Sequence, residues 1–341
     1  MNKNNIIALL SLFAFFGLAL YIPYSTTPVT IEYPNYWPKP VYNLNKNPLT
    51  QEGITLGRML FYDPILSKDS TISCSSCHLS YTAFTHVDHP LSHGINDSIG
   101  VRNSPSLMNL AWHNSFMWDG AVNHLDVQAL APITHSAEMD EDLNNVIRKL
   151  KATKGYSNMF YKAFKDSSIT GEYLLKSISQ FELTLISCNS KYDSVIRKAS
   201  TFTLQEENGY QIYQKNCASC HSEPLFTNNQ FEKNGLPIDS VLNDFGRYNI
   251  SKNATDSLKF KVPTLRNIEF SFPYMHDGRF KNLSQVFKHY TSNTSNSILL
   301  SSNEKVDLTA FLLTLTDKYF LFNKKHSFPR ELFYPTKKMD K

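Results

Sequence analysis

The chain has 341 residues, a formal net charge of +4 at pH 7 and five cysteines. Its length predicts two domains of ordinary size, because each half is long enough to bury a hydrophobic core. The small net charge and the lack of a run of Lys and Arg residues argue against nucleic acid as a partner.

Residues 1–25 begin with Lys3 in a polar start and continue as an apolar run over residues 6–22. This pattern predicts an export signal peptide or a single membrane anchor. The run falls between the short apolar segment of a signal peptide and the roughly 20 residues that span a bilayer, so both alternatives stay open. Either one places the body of the protein in the periplasm, as a soluble protein or anchored at its N-terminus to the inner membrane.

Residues 26–48 are rich in Pro, Tyr and Asn and have no helical period, which predicts an extended tether or a strap over the first domain. Apolar residues at three- and four-residue spacing then predict a helix over residues 51–61, which Thr50 caps. The same spacing predicts helices over residues 143–150, 155–165 and 173–188. The sequence has no succession of alternating strand patterns, so the predicted fold class is all-α.

Two Cys-x-x-Cys-His groups stand out, at residues 74–78 and 217–221. Covalent attachment of haem needs two thiols that add to the vinyl groups and a neighbouring imidazole that reaches the iron. Both groups supply these side chains, which predicts two covalently bound haem c groups. The thioether residues are Cys74, Cys77, Cys217 and Cys220, and the proximal iron ligands are His78 and His221.

Zinc sites and redox-active dithiols use similar cysteine pairs. A zinc ribbon brings two pairs onto one metal, usually from within about 20 residues of each other, whereas these two pairs are far apart in the chain. A thioredoxin-like dithiol uses one pair beside a strand and a helix. Both alternatives are therefore disfavoured. The fifth cysteine, Cys188, lies in the apolar stretch 181–188 and is predicted to be a buried, inert thiol.

Two predicted helices flank the second haem group. Thr203 and Glu206 form a capping box that begins a helix running to about Lys215. Asn303 is the predicted cap of the last helix, which presents an apolar stripe to the first one. The arrangement resembles the crossed terminal helices of a cytochrome c domain. The stripe consists of Leu308, Phe311, Leu312 and Leu315, and the facing positions are Gly209 and Tyr213.

Segments around the haem groups resemble a known family, the bacterial di-haem cytochrome c peroxidases and their MauG-type relatives. The resemblance covers nearly all of residues 45–325. Each segment alone is weak evidence for the resemblance, but the order of the segments along the chain is specific to this family. The segments are residues 56–64, 102–107, 118–120, 263–267 and 273–278, together with Gln128, Pro132, Glu138 and Met139.

The resemblance implies two cytochrome c-like domains, at residues 49–195 and 196–325, followed by a tail at residues 326–341. In this family the haem of the first domain binds peroxide and the haem of the second domain receives electrons. The chain would then reduce hydrogen peroxide to water with electrons from a small redox protein, a cytochrome c or a cupredoxin. A MauG-type oxidase of a protein substrate and a non-catalytic electron carrier stay open as alternatives, and so does a homodimer.

The resemblance also assigns roles to four residues near the first haem. Glu138 matches the acid-base carboxylate, Gln128 its companion amide, and Pro132 the residue packed over the open face of the iron. Trp118 matches the tryptophan between the two haems, where an aromatic ring assists electron transfer. The alternatives are a solvated acid for Glu138, because three more acidic residues follow it, and a core aromatic for Trp118.

A peroxidatic iron needs one open axial face. Many members of this family close that face at rest with a histidine in the loop after the first haem. Counting back from residues 102–103 puts Ile95 at that position, whereas matching the His-Gly pair puts His93 there. The favoured prediction is an iron that is open without prior reduction.

The second iron has a different predicted ligand. Counting from His276 along the family pattern reaches Tyr290, where the peroxidases have a methionine. Tyrosine is the ligand in MauG, and a phenolate favours ferric iron and lowers the reduction potential relative to methionine. Met275 and His289 are the rival ligands.

A calcium ion between the domains is a further feature that the resemblance implies. Asn103 and the main-chain carbonyls of Ser271 and Pro273 match its ligand positions, and oxygen ligands of this kind suit Ca²⁺. The alternative for Asn103 is an ordinary turn residue.

Overall fold

The computed structural model describes residues 25–292 and 297–334. The predicted export signal or anchor therefore lies outside the described residues, apart from Ser25 at its end. Within the described ranges, no helix is long and apolar enough to cross a membrane.

The described chain is mostly helical, as predicted. A two-stranded antiparallel sheet adds to the helices, with β1 (Phe231–Glu232) paired to β2 (Phe260–Lys261) so that Phe231 lies opposite Lys261. The α-helices of the described residues are α1 (Gln51–Tyr62), α2 (Cys74–Cys77), α3 (Leu130–Thr134), α4 (Leu143–Ala152), α5 (Tyr156–Phe164), α6 (Gly171–Glu182), α7 (Lys191–Ile196), α8 (Leu204–Asn216), α9 (Tyr248–Ser251), α10 (Leu283–Ser292), α11 (Ser302–Leu313), α12 (Lys318–Leu321) and α13 (Arg330–Phe333).

Helices α1 and α6 cross within residues 49–195, the range of the first predicted domain, called the first unit below. The predicted cap of α1 is confirmed, because the Thr50 hydroxyl accepts a hydrogen bond of 3.0 Å from the Gly53 amide. At the crossing, Gly57 lies against the main-chain carbonyl of Ser177, where any Cβ would collide with the oxygen. The rings of Phe61 and Phe181 pack beside this point with centroids 5.2 Å apart. The close approach of the two helices therefore depends on a glycine.

The end of α6 differs from the predicted helix over residues 173–188, because the helix ends at Glu182. Beyond that residue, the main chain is hydrogen-bonded to another part of the fold. The carbonyl of Leu185 accepts from the Asn109 amide at 2.8 Å, and the Ser187 amide donates to the Asn109 side chain at 2.9 Å. These tertiary hydrogen bonds replace the helical ones, although the apolar pattern continues.

Helices α8 and α11 cross in the same way within residues 196–325, the range of the second predicted domain, called the second unit below. The capping box of Thr203 and Glu206 at the start of α8 is confirmed. The predicted cap of α11 at Asn303 is wrong, because Ser301 caps this helix through reciprocal hydrogen bonds with Glu304. Gly209 lies against the main-chain carbonyl of Asp307 at the crossing, as a close helix pair requires. The predicted apolar stripe is buried here, with Leu315 just beyond the end of α11.

Residues 26–48 run along the surface of the first unit. The Val29 amide donates to the carbonyl of Leu49 at 2.9 Å, and the amides of Val41 and Tyr42 donate to the carbonyl of Ala111. Trp37 of this segment reaches the hydrophobic core, where its ring meets that of Trp112 edge-on, with centroids 5.0 Å apart. These contacts hold the segment against the first unit.

The C-terminal part of the described chain packs against α1. The hydroxyl of Tyr62 donates to the carbonyl of His326 at 2.6 Å. The Arg58 guanidinium donates to the carbonyls of Lys324 and Ser327 and forms an ion pair of 3.1 Å with Glu331. Residues 324–331 are therefore packed against the first unit.

Candidate active site

Helix α2 places the first thiol pair and its histidine side by side. The turn begins at Ser73, whose amide donates to the Ser76 hydroxyl at 3.1 Å. The ring Nδ1 of His78 lies 2.7 Å from the Phe84 carbonyl, which assigns the proton to Nδ1 and leaves Nε2 as the free donor atom. Removal from water lowers the pKa of His78 to about 4. The ring is therefore neutral at pH 7, as an iron ligand must be.

A cleft lies next to this histidine. Helix α3 contributes Pro132 to its wall, and the Pro132 carbonyl accepts from the Met139 amide at 3.2 Å. The structure thus brings the predicted peroxide-site residues together, although they come from separate segments. The side chains that line the cleft and matter below are Cys74, Cys77, His78, His93, Gln128, Pro132, Glu138 and Glu182.

Glu138 differs from the acidic residues that follow it. Its side chain lines the cleft, is 37 % exposed, and has Oε1 3.9 Å from Nδ1 of His135. Removal from water raises its pKa, and His135 opposes this shift. By contrast, Asp140 pairs with Lys68 on the surface at 2.6 Å, and Glu141 pairs with Lys149 at 2.7 Å. Asp140 and Glu141 therefore have partners of their own, whereas the Glu138 side chain lies in the cleft.

The loop after the first haem group places His93 in the wall of the cleft, whereas Ile95 is buried outside it. The Ile95 amide donates to the Glu138 carbonyl at 2.8 Å, which connects this loop to the segment that contains Glu138. The Nδ1 of His93 lies 2.7 Å from the carboxylate of Asp97. The position of His93 is compatible with a role at the iron, and whether it is a ligand stays a prediction.

Trp118 lies at the junction of the two units. Its indole N–H donates to the Asn103 carbonyl at 2.8 Å, and its own carbonyl accepts from the Lys261 amide at 2.7 Å. Lys261 belongs to β2 in the second unit, so the tryptophan main chain is bonded across the junction.

Asn103 lies at the same junction and is buried. Its side-chain amide donates to the Pro90 carbonyl at 2.9 Å, and its main-chain amide donates to the His276 carbonyl at 2.7 Å. The second of these bonds brings Asn103 close to the segment that contains Ser271 and Pro273. The calcium site itself stays a prediction.

The second thiol pair follows α8. The ring Nδ1 of His221 lies 3.0 Å from the Pro263 carbonyl and 3.3 Å from the Phe226 carbonyl. Removal from water lowers the pKa of His221 to about 4, so this ring is also neutral. Its geometry repeats that of His78, with Nδ1 held by the main chain and Nε2 free to bind a metal.

Tyr290 lies near the second thiol pair. Burial is the main cause that raises the pKa of Tyr290 to about 12, and the nearby Cys217 and Cys220 thiols contribute to this shift. The two rival ligands have other partners. Nε2 of His289 bonds the Asn234 carbonyl at 2.8 Å, and the Met275 sulfur accepts from the Asn234 side chain at 3.6 Å.

All five cysteines are free of disulfides. Cys188 is half-buried rather than fully buried, and removal from water raises its pKa to about 11, with Asp193 adding to the shift. The raised pKa disfavours the reactive thiolate, and the inertness of Cys188 stays a prediction.

Glu182 is a cleft residue that the sequence analysis missed. It ends α6, has a relative exposure of 3 % and lines the same cleft as His78. Its one signal in the sequence is an acidic residue inside an otherwise apolar helix face. That signal was obscured because the apolar pattern predicted a helix that continues well past this position.

The geometry defines the class of protein first. Each of two thiol pairs stands beside a neutral histidine with Nε2 free, and the first adjoins a cleft lined by apolar and polar side chains. These residues fit covalently bound haem, because the thiols, the imidazole and a cleft are present together. The protein is a c-type cytochrome with two haem groups.

Comparison with known proteins defines the family. The sequence model of the family described as di-haem cytochrome c peroxidase matches residues 51–201. The methylamine utilization protein MauG of Methylorubrum extorquens is 32 % identical over 299 residues, which cover 82 % of this chain and 82 % of that protein. The cytochrome c551 peroxidase of Nitrosomonas europaea is 33 % identical over 270 residues, which cover 76 % and 79 %. The chain belongs to this family and is an oxidoreductase that acts on peroxide.

A solved structure supports the same fold. The crystal structure of a MauG-like protein associated with microbial copper homeostasis matches with a TM-score of 0.80 and 28 % sequence identity. The match covers 88 % of this chain and 99 % of that one.

Proposed function

We propose that this chain is a di-haem cytochrome c peroxidase with two unequal haems. His78 would hold the haem that supplies the reduction of hydrogen peroxide to water, and His221 would hold the haem that receives electrons from a small cytochrome c or cupredoxin. The observation that carries the proposal is the cleft beside His78, which contains Gln128, Pro132 and Glu138. A plain electron carrier has no need of a carboxylate and an amide at such a cleft.

Bound haem supplies the iron at which the O–O bond of peroxide is broken. Reduction of one peroxide to two waters consumes two electrons and two protons. Glu138 takes a proton from one peroxide oxygen and returns it to the other, which makes that oxygen a better leaving group. Its raised pKa suits this exchange, because a carboxyl that titrates nearer to neutral pH both accepts and donates. Gln128 orients peroxide through its amide, and Pro132 keeps one side of the cleft apolar.

Trp118 is proposed to assist electron transfer between the haems. Its indole is held by the Asn103 carbonyl, and its main chain is bonded to Lys261 of the second unit. An aromatic ring fixed at the junction shortens the distance that an electron must cross between the two units.

Tyr290 is proposed as the second axial ligand of the His221 iron. Support comes from its half-buried position near Cys217 and Cys220 and from the other partners of His289 and Met275. An anionic phenolate would stabilise ferric iron and lower the potential of this haem.

Three finer features complete the proposal. A calcium ion at Asn103, Ser271 and Pro273 would join the two units at the junction. The export signal or anchor over residues 1–25 would place the protein in the periplasm, where haem c is attached. Self-association as a homodimer is the third proposal, and a measurement of the mass in solution would test it.

A MauG-type oxidase of a protein substrate is the second candidate. The predicted ligand Tyr290 and the 32 % identity to MauG of Methylorubrum extorquens favour it. In that case the two haems would store oxidising equivalents together and withdraw electrons from a residue of another protein.

One experiment separates the candidates. The holoprotein is mixed with hydrogen peroxide in the presence and absence of pre-reduced cytochrome c, and absorbance is followed in a stopped-flow instrument. Rapid oxidation of the donor supports the peroxidase. A long-lived oxidised state of both haems without donor oxidation supports the MauG-type oxidase, and a lack of reaction with peroxide contradicts both.

A further inference from the structure

The turn that carries Trp118 is hydrogen-bonded to the second unit at three successive carbonyls. The carbonyl of Trp118 accepts from the Lys261 amide at 2.7 Å. The next two carbonyls, of Asp119 and Gly120, both accept from Nη1 of Arg247, at 2.8 Å and 3.0 Å. Because Lys261 and Arg247 belong to the second unit, the main chain of this turn is fixed across the junction.

Gly120 allows this close approach. Its φ is +69°, a conformation that favours glycine. A Cβ at this position would lie 2.3 Å from the ring of Phe231 and 2.9 Å from Nη1 of Arg247. The guanidinium of Arg247 is itself stacked on that ring, with its central carbon 4.7 Å from the centroid. A side chain at residue 120 would therefore displace the groups that hold the turn.

The side chain of Arg102 makes a second bridge to the same turn. Its Nε and Nη2 donate to the two carboxylate oxygens of Asp244 at 2.6 Å and 2.8 Å, and its Nη1 donates to the carboxylate of Asp119 at 2.7 Å. The three side chains are largely buried, with exposures of 19 % for Arg102, 8 % for Asp119 and 3 % for Asp244. A two-point contact fixes direction as well as distance. Arg102 therefore holds the residue after Trp118 to the second unit.

The residue after Arg102 holds the indole of the same tryptophan. The Asn103 carbonyl accepts from the Trp118 indole N–H at 2.8 Å, and the Asn103 amide donates to the His276 carbonyl of the second unit at 2.7 Å. Arg102 and Asn103 are consecutive in the chain. A displacement of Arg102 would therefore move both the acceptor of the indole N–H and the carboxylate next to Trp118.

We propose that Arg102 is a positioning residue that fixes the Trp118 ring between the two units, and that electron transfer between the haems depends on it. The inference rests on the proposed role of Trp118 in that transfer. Arg102 acts through Asp119 and Asn103 and exchanges neither protons nor electrons. The electrons of each turnover come from the donor protein.

Hydrogen exchange of the ferric holoprotein tests the bridge without turnover. In Arg102→Gln the amides of Ala121 and Lys261 should exchange faster than in the unmodified protein. The Ala121 amide donates to the Asp119 carboxylate at 3.0 Å, which the glutamine side chain would no longer hold to the second unit. Arg148→Gln is the control, since Arg148 is exposed. Unchanged exchange in Arg102→Gln would overturn the proposal.

Single-turnover kinetics test the function of the bridge. The second haem is reduced in advance, and peroxide is added in a stopped-flow instrument. Arg102→Gln should slow oxidation of the second haem by about tenfold or more, because a misplacement of about 1 Å costs a large factor in rate. The response of the first haem to peroxide and the KM for the donor should stay normal. Equal slowing at both haems would mean general damage to the fold and would contradict a positioning role.

Arg102→Lys separates geometry from charge. Lysine keeps the positive charge but lacks the planar group that binds two carboxylates at once. We expect slow oxidation of the second haem in this variant as well. A normal rate in Arg102→Lys would show that charge alone suffices and would refute the positioning role.

Failure of the proposed function gives a different result. If the unmodified protein does not oxidise its donor with peroxide, the peroxidase function is wrong, while hydrogen exchange still decides whether Arg102 holds the turn. If the protein is a peroxidase and Trp118→Phe transfers electrons between the haems at the normal rate, the proposal for Arg102 is wrong, because the ring that it positions takes no part.

Discussion

Arg266 and Asp193 form a two-point ion pair that is fully buried. The guanidinium donates from Nη1 to one carboxylate oxygen at 2.9 Å and from Nη2 to the other at 2.8 Å, and both side chains have 0 % exposure. Tyr36, from residues 26–48, donates its hydroxyl to the same carboxylate at 2.8 Å. Asp193 belongs to α7 and Arg266 to the loop after β2. Together with Tyr36, the pair therefore joins α7, this loop and the N-terminal segment.

Replacement of one partner should expose the cost of this burial. We expect Asp193→Asn to lower the free energy of unfolding by about 3–5 kcal/mol, because it leaves the Arg266 charge buried without a counter-charge. Denaturant unfolding of the holoprotein measures the change. Asp256→Asn, which breaks the half-buried pair with Lys259, is the control and should have a much smaller effect. Equal stability of the two variants would contradict the prediction.

Glu138→Gln should slow peroxide-dependent donor oxidation by about 10²–10⁴-fold, because the amide cannot exchange a proton with peroxide. The absorption spectrum of the ferric haems should stay unchanged. Asp140→Asn is the matched control, since Asp140 lies two residues away and pairs with Lys68 at the surface. Stopped-flow kinetics at pH 7 distinguish the two variants, and a normal rate for Glu138→Gln would refute its role.

The first haem should be open in the resting oxidised protein. We expect a high-spin ferric signal in the electron paramagnetic resonance spectrum without prior reduction, and the same signal in His93→Ala. The exposed His89, whose ring lies 4.1 Å from that of His93, supplies the control variant His89→Ala. A bis-histidine low-spin spectrum that becomes high-spin only in His93→Ala would show that His93 closes the iron.

Tyr290→Phe should remove the low-spin ferric signal of one haem, because phenylalanine has no oxygen to bind iron. Tyr319→Phe is the control, since Tyr319 is 71 % exposed on the same unit. Electron paramagnetic resonance of both variants tests the assignment. An unchanged spectrum in Tyr290→Phe would direct attention to Met275 and His289.

Glu182 should make stability depend on pH in a defined direction. Its pKa is raised from 4.5 to about 8, so the folded state binds the proton more tightly than the unfolded state. This contribution is fully present below pH 4.5 and is lost as the pH rises towards 8. Unfolding of Glu182→Gln should lack this part of the decline between these pH values. A pH profile parallel to that of the unmodified protein would contradict the raised pKa.

The local patterns of the sequence predicted local structure well. Thr50 and Thr203 cap their helices as expected, because a cap depends on a hydroxyl and amides within the next three residues. The cap at Asn303 was wrong for a related reason. Two candidate caps lie close together there, and the reciprocal bonds between Ser301 and Glu304 favour the earlier one.

Contacts between distant segments of the chain could not be predicted from local sequence patterns. The apolar period predicted that α6 continues past Glu182, but Asn109 captures the main chain at Leu185 and Ser187. No periodicity within residues 173–188 contains information about Asn109. The same reason explains why Glu182 was missed, since its importance depends on the cleft that it faces.

By itself, the sequence determined that this protein carries two haem c groups, because attachment chemistry needs two thiols and a histidine within five consecutive residues. Resemblance along the chain added the expected roles of Glu138, Gln128 and Pro132. Only the tertiary structure decided that these side chains share one cleft with His93 and Glu182. The physical reason is that burial, charge and proton exchange depend on distances between segments, which a linear pattern does not encode.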